Sequence, residues 1–554
     1  MIDTPRRTPD VRQALTWRDW ESGTREARER GLPILCLAEP AWSTGSQRLA
    51  LVLGREGETR DIAEMAFVPI LLDPLDRPDV AARLRWAATV LTGTAGPPLL
   101  VLLTPSTRPF LAYCSLWPEG REPYPSLGSL LRAVAALGDE RRAALEAEAD
   151  ELQARAAADS EGATDGVWPG VAQVLRHAAD ERFGGLEELP KHPRPALLWR
   201  ALCEADDPSV SEHVLRTLEV MQRGGILDQI GDGFHRCARD ERWVVPHFEK
   251  LVPVNAGLAA VYARAAERFE RPDFHATARG AATFASAGLD RGMLAVGADA
   301  DHYTWLPAQV NEVLEPALVQ VVGLHFNITN DASRQVLFRA LDADALGDHA
   351  DEPPDVLRER LERGKALLAM VRARRPPPTE HACDAPAWRA ESVRWLFAAA
   401  RHGLASEIGA LDRHLSDLLD GPFDRGLGFR RGSRHWLEDQ VAILAACVAA
   451  SRVRPAALAR ATELAETVLD AYLDPRDGAM YDAPRCELGD APSQDVVDHA
   501  LSAAIPTFVG ALTWLAAAGE AAGSVVLRAR FVTAAATIER RYGSALAAAT
   551  PGGA

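Results

Sequence analysis

The sequence predicts two domains of different class: a small α/β domain at the N-terminal end, then a larger all-helical domain. Three observations carry that reading. At 554 residues the chain is too long for one small core. Over residues 1–137, short continuous apolar runs of strand length alternate with helical stretches. Beyond a polar stretch at 159–166, strand signals almost vanish and amphipathic segments of about 12 to 20 residues follow one another.

Residues 18–30 are polar and Glu/Arg-rich, as an exposed helix is, and Gly31 is a stop signal. The runs 33–38 (PILCLA), 67–72 (FVPILL) and 99–103 (LLVLL) read as strands. Their continuous apolar character implies a sheet covered on both faces by helices. An edge strand is predicted at 110–114 and a closing helix at 127–137. A charged, Ala-rich helix over 139–158 leads into the polar stretch, the best linker in the chain. The expected division is therefore a first domain over 1–138, a helical linker over 139–166 and a helical domain over 167–554.

In the second domain, helices are predicted at 210–223, 254–269, 273–287, 355–372, 387–402, 437–451, 455–473 and 525–542. Gly-rich, aromatic loops lie between them, at Phe183-Gly184-Gly185, Gly231-Asp232-Gly233-Phe234 and Gly426-Leu427-Gly428-Phe429. Hairpins recurring about every 60 residues predict a toroid of paired helices; an α-solenoid would need a fixed short repeat, and none is evident.

Acidic residues outnumber basic ones, 78 to 61, for a formal net charge of −17. That balance argues against a phosphate-backbone partner, so no nucleic acid is expected. Residues 1–10 hold no apolar run, and no stretch reaches the roughly 18 apolar residues of a membrane helix. The expectation is a cytoplasmic protein with no membrane partner. The cysteines are Cys36, Cys114, Cys203, Cys237, Cys383, Cys447 and Cys486, none at Cys-x-x-Cys spacing. Scattered, odd in number and without zinc-ribbon pairs, they suit a reducing compartment and a packing role. The 14 histidines are scattered too, and His235 with His247 alone makes no metal site. Gly231-Asp232-Gly233 lacks the third glycine of a dinucleotide fingerprint. No metal and no cofactor are expected.

The order of motifs resembles the YyaL-like, spermatogenesis-associated thioredoxin-domain family. The likeness runs over roughly 15–515 and rests on collinear motifs, not on any single one. In the first domain they are Trp17 and Trp20, then Pro33-Ile34-Leu35-Cys36, then Leu72-Asp73 through Arg77-Pro78-Asp79. They continue with Thr92-Gly93 through Pro98-Leu99, Leu103-Thr104-Pro105 and Arg108-Pro109-Phe110. In the second domain they are Gly184-Gly185, Pro190-Lys191-His192-Pro193 and Gly224-Gly225-Ile226 through Asp228. The strongest block follows, Gly231 to Arg236, Trp243 and Val245-Pro246-His247-Phe248-Glu249-Lys250, with Asp299-Ala300-Asp301, Trp305 and Leu437-Glu438-Asp439 further on. The resemblance implies a thioredoxin-like domain fused to an (α/α)6 toroid similar to six-hairpin glycosidases and sugar epimerases.

By that resemblance the family's Cys-x-x-Cys falls on Ser43-Thr44-Gly45-Ser46, and the cis-proline position on Pro98. Serine supplies neither a thiolate nor a resolving sulfur, so dithiol exchange is not expected there. Ser43 is expected to cap the following helix. The domain then serves as a redox-inactive scaffold that docks a protein partner or covers the toroid. By analogy with sugar-active toroids, His247 and Glu249 are the acid–base candidates. Asp228, His235, Arg236, Trp243, Lys250, Asp299 and Asp301 are the ligand-binding candidates, Trp243 as a stacking face. The implied ligand is a carbohydrate-like small molecule, bound and, in a hydrolase or epimerase, processed.

Departures weigh on the other side. Leu251-Val252-Pro253-Val254-Asn255 stands where the family has Met-Leu-Tyr-Asp-Asn. His381-Ala382-Cys383 replaces an Asp-Asp-Lys, and Asp498-His499-Ala500 is what remains of a polar C-terminal motif. The alternative is a non-catalytic scaffold or interaction protein, a pseudoenzyme.

Overall fold

The computed structural model describes residues 15–38, 42–55, 57–92, 98–114, 119–120, 125–161, 171–204, 207–329, 333–350, 352–382, 385–405, 408–484, 503–521 and 525–548. Cys383, Cys486, the stretch 498–500 and the Pro97–Pro98 peptide bond lie outside the described residues.

Four strands form the first domain's sheet: β1 (Ile34–Ala38), β2 (Val68–Leu72), β3 (Leu100–Leu103) and β4 (Pro109–Tyr113), in the order β2-β1-β3-β4. β1 runs parallel to β2 and antiparallel to β3, which pairs antiparallel with the edge strand β4. Alternation along β1 splits the core in two. Ile34, Cys36 and Ala38 pack with Ala27, Val80 and Leu84, from α1 (Trp20–Arg30) and α4 (Pro78–Thr92). Leu35 and Leu37 pack with Leu49, Ala63 and Leu127, from α2 (Thr44–Gly54), α3 (Glu58–Ala66) and α5 (Leu127–Ala135). Helices thus cover both faces, which is why the strands read as unbroken apolar runs. Burial pushes the Cys36 thiol far up, so it stays protonated and acts as a small apolar group. The long helix α6 (Asp139–Glu161) lies against β4, where Arg108 Nε meets Asp150 at 2.9 Å, and also touches the last helix of the chain.

The helical domain contains α7 (Val171–Ala178), α8 (Pro195–Glu204), α9 (Pro208–Arg223), α10 (Val252–Arg268) and α11 (Pro272–Asp290). An excursion follows with α12 (Ala300–Tyr303), α13 (Pro307–Val313), α14 (Pro316–His325), α15 (Ala343–Ala350) and α16 (Pro354–Arg372), built on its own core around Trp305, Phe326 and Leu357. The domain resumes with α17 (Pro386–Ala400), α18 (Ile408–Leu419), α19 (Leu437–Ser451), α20 (Ala456–Ala471), α21 (Ala504–Ala521) and α22 (Val525–Ala548).

Helices α8, α10, α17, α19 and α21 pack side by side in that order. Each pairs with a returning helix, α9, α11, α18, α20 or α22. The row helices are apolar nearly all round because neighbours cover every side; α10 buries every residue from Val252 to Ala263. The returning helices carry one apolar stripe, as α9 does with Val210, Val214, Leu218 and Met221.

The sequence reading of this domain as strand-poor needs one correction. Short strands join the helices: β5 (Cys237–Ala238) with β6 (Pro246–His247), and a three-stranded set of β7 (Lys250–Leu251), β8 (Met293–Val296) and β9 (Glu380–Ala382). Segments of two to four residues are too short to show a period. Among the described residues, no helix is long and apolar enough to cross a membrane.

Candidate functional site

Because each returning helix reverses the chain, the row helices run the same way and begin at one end of the bundle. β7 and β9 lead into α10 and α17 and sit in one sheet, and the Ala387 backbone N–H at the start of α17 donates to Asp439 Oδ1 in α19 at 3.0 Å. The block of charged residues just before α10 therefore lies at this end.

Two buried clusters form there, because residues 249 and 250 point to opposite sides of the strand. Lys250 belongs to the first. Its Nζ donates to Asp228 Oδ2 and to the Asp232 carbonyl, both at 2.7 Å, while Arg372 Nη1 donates to the other Asp228 oxygen at 2.6 Å. The Tyr303 ring faces both cations, 5.1 Å from Lys250 Nζ and 5.8 Å from the guanidinium carbon of Arg372. Burial alone would raise the Asp228 pKa, but the two cations hold it well below the usual carboxylate range. A Cβ on Gly231 would run into Arg372 and Asp228, so the glycine makes room for the triad. Gly233 turns through φ 82°, and Asn255 clamps the following residue: its Oδ1 accepts the Phe234 N–H at 2.6 Å and its Nδ2 donates to the Phe234 carbonyl at 3.0 Å.

The second cluster centres on Glu249, whose side chain is 1% exposed. Its Oε1 accepts the backbone N–H of Thr44, in the first domain, at 3.3 Å. Arg236 Nε lies 3.7 Å from its Oε2. Burial opposes ionisation of Glu249, but Arg236, His247 and backbone N–H groups, that of Thr44 among them, lower its pKa. His247 is half-buried and pushed down to about 3 by burial and by Arg236, so it is neutral at pH 7. Cys237 faces His247 across the β5–β6 pair, and its neighbour Ala238 bridges to Lys191 on the other side. That places His192 beside Cys237; burial would depress its pKa, but Cys237 and Glu188 raise it to about 9.

The remaining candidates divide. His235 is buried, its Nδ1 hydrogen-bonded to the Phe248 carbonyl at 3.1 Å, and burial pushes it down to about 3. Trp243 offers no stacking face, contrary to expectation: it is fully buried, its Nε1 donates to the Phe183 carbonyl at 3.1 Å, and Lys191 covers its ring. Asp299 is a helix cap, accepting the His302 N–H at 3.0 Å, and Asp301 pairs with Arg334 at 3.0 Å near the surface. In the first domain Ser43 caps α2, its Oγ accepting the Ser46 N–H at 3.4 Å and the Ser46 hydroxyl at 2.7 Å.

Sequence reasoning missed Thr44 as a partner of Glu249, Trp42 as a neighbour of Arg236, and Arg372 and Tyr303 as neighbours of Asp228 and Lys250. Each is brought in by tertiary packing from far along the chain, so no local spacing could signal it. Among the described residues, no group of three or more His, Cys, Asp or Glu is placed to hold a metal ion.

A family profile named Thioredox_DsbH, described as a protein of unknown function (DUF255), matches residues 8–157. The rat spermatogenesis-associated protein 20 is 31% identical over 215 residues, which are 36% of this chain and 27% of that protein. The human protein of the same name is 28% identical over 284 residues, 46% of this chain and 36% of its own length. An uncharacterized Caenorhabditis elegans protein is 27% identical over 215 residues, 37% of this chain and 30% of that protein. The matches thus span about a third of these relatives. A solved sugar epimerase from a ruminal bacterium aligns at TM-score 0.39 and 10% identity, over 66% of this chain and 84% of that one. At that level the likeness fixes neither fold nor function. The chain is thus similar to the spermatogenesis-associated 20 proteins over part of their length, and its residues 8–157 match the DsbH-type thioredoxin-like family.

Proposed function

We propose that this is a redox-inactive thioredoxin-domain protein of the cytoplasm whose helical domain closes into an (α/α)6 toroid and binds a carbohydrate-like ligand at the shared starting end of its row helices. The five hairpins packed in succession support the toroid. Ser43 and Ser46 at the start of α2, with Cys36 buried and protonated in β1, support the loss of dithiol chemistry. The free, buried thiols of Cys36, Cys237 and Cys447 suit a reducing compartment.

One observation carries the ligand reading. Glu249 is an ionised carboxylate, almost wholly buried, with one oxygen that has no hydrogen-bond partner among the described residues. Buried carboxylate oxygens are costly to leave unpaired, and a sugar hydroxyl is a natural donor to one. Two-carboxylate glycoside hydrolysis is less well supported, because Asp228 is locked between Lys250 and Arg372. With Glu249 ionised and His247 neutral, the cluster accepts protons; it fits binding, or base-assisted epimerisation, better than acid-assisted cleavage. The scaffold alternative gains from the same burial.

A thermal-shift screen against mono- and oligosaccharides, repeated with His247→Ala, tests the reading. Stabilisation by a sugar that shrinks in the variant is expected, and no shift with any sugar would refute it. Insulin reduction above a cysteine-free control would refute the redox claim.

A further inference from the structure

The first domain is seated on the helical domain at the point where the family resemblance places the redox pair. Thr44, the first residue of α2, donates its backbone N–H to Glu249. Trp42, two residues earlier, is 4% exposed and packs within the helical domain's main core. The Arg236 guanidinium lies over the Trp42 ring, 5.6 Å from its centre, and also 3.7 Å from Glu249 Oε2. A third contact fixes the seating: Arg434, just before α19, reaches Glu21 of α1 at 3.2 Å. Among the buried polar atoms at this seam, the Trp42 indole Nε1–H and Glu249 Oε2, the latter 3.7 Å from Arg236 Nε, have no hydrogen-bond partner among the described residues. One is a donor and the other an acceptor.

We propose that the loop at Trp42 and Thr44 is a working part of the helical domain's ligand site. A hydroxyl of a polyol-type small molecule accepts from the Trp42 indole N–H and donates to Glu249 Oε2, beside Arg236. A hydroxyl suits the pair because it is at once donor and acceptor, whereas an anion would meet the Glu249 charge. Thr44 acts as a positioning group: the α2 N-terminus holds Glu249 by its other oxygen, as helix starts hold anions. The turn that in a redox thioredoxin would lower a thiol's pKa here steadies a carboxylate of the neighbouring domain. This inference rests on the carbohydrate reading above.

The test is calorimetric titration of the full chain with D-glucose, D-mannose and N-acetyl-D-glucosamine. The same titrations are run on Trp42→Phe, Thr44→Pro and, as a remote surface control, Arg132→Ala. Thr44→Pro deletes the N–H, together with the threonine hydroxyl, at a first helical position where proline is well tolerated, so it keeps the test open if Trp42→Phe folds poorly. We expect the sugar that binds the parent protein to bind each seam variant at least about fivefold more weakly, with the control unchanged. Parent-like affinity in Thr44→Pro, or in a folded Trp42→Phe, would overturn the seam site and leave the carbohydrate reading standing. Failure of the parent to bind any of the three sugars would overturn both.

Discussion

Replacing Asp228 by Asn tests the energetics of the buried triad. The side chains of Asp228, Lys250 and Arg372 are 5%, 4% and 11% exposed, and both cations reach the carboxylate at hydrogen-bonding distance. Asparagine keeps the volume, so no cavity opens and the loss is electrostatic. It leaves two cations in one desolvated site, with an amide N–H₂ directed at one of them. Breaking a buried ion pair from one side costs about 3–5 kcal/mol, and one carboxylate serving two cations puts the expectation in the upper half of that range. The chain is multi-domain, so the quantity to measure is the urea-unfolding free energy of the helical domain by pulse proteolysis, not one global midpoint. Adding Lys250→Met to Asp228→Asn should recover part of the loss, because Met replaces the lysine stem without a charge. A cost below about 1 kcal/mol for Asp228→Asn would refute the reasoning, as would a double variant as unstable as the two single losses summed.

Stability should fall on both sides of neutrality. His235 and His247, each held near 3, and His325, held near 4 by burial, are neutral in the folded chain but take up protons when unfolded below about 6.5. Their contribution is present above that pH and is lost as pH falls, at about 1.4 kcal/mol per unit and per group, before most carboxylates begin to titrate. His235→Asn should flatten the slope between pH 6.5 and 5 by about one proton, measured by urea unfolding across that range. His192, raised to about 9, has the opposite sign: its contribution is complete below 6.5 and is lost as pH rises through 9. Asn255→Ala removes three buried hydrogen bonds and should cost about 2–4 kcal/mol, with faster amide exchange at Phe234. Gly231→Ala should shift Arg372 off Asp228 and lower the melting temperature, whereas the same change at Gly292, where a Cβ meets nothing but φ is 63°, should cost only about 1 kcal/mol.

The elements with the strongest periodicity were legible. Residues 437–451 coincide with α19, and the other predicted helices start within two residues of their observed starts, though α22 runs six residues beyond its predicted end at 542. They are legible because burial is decided by the helix's own pattern. β4 reads as an edge strand and Ser43 as a cap for similarly local reasons. What the sequence hid is pairwise. Glu249 and Lys250 are neighbours in one motif, yet they serve different clusters, one closed by Arg372 and the other by Thr44, residues 144 and 205 positions away from Asp228 and Glu249 respectively. Trp243 looked like a ligand platform because tryptophans stack on sugars. In the fold it sits against Gly185 and Gly224, where added Cβ atoms would strike it, and serves as core.

The carboxylates at the starting end of the row helices separate by environment, and that separation bears on chemistry more than their proximity in sequence does. Asp228 is ionised and saturated by two cations, so it has no reason to take up a proton. Glu249 is ionised with an oxygen to spare, which is the state of a base or an acceptor. Asp439, in the first turn of α19, is the contrasting case: burial and the neighbouring Glu438 outweigh Arg431 and raise it to about 7. An acid poised near neutrality and a carboxylate held ionised are the pair of states that proton-transferring sites require. If the helical domain turns over a ligand, Glu249→Gln should weaken binding and lower turnover, and Asp439→Asn should lower turnover with binding unchanged only if Asp439 supplies the acid. Turnover that survives Asp439→Asn would leave Glu249 as a binding group and the site without an acid.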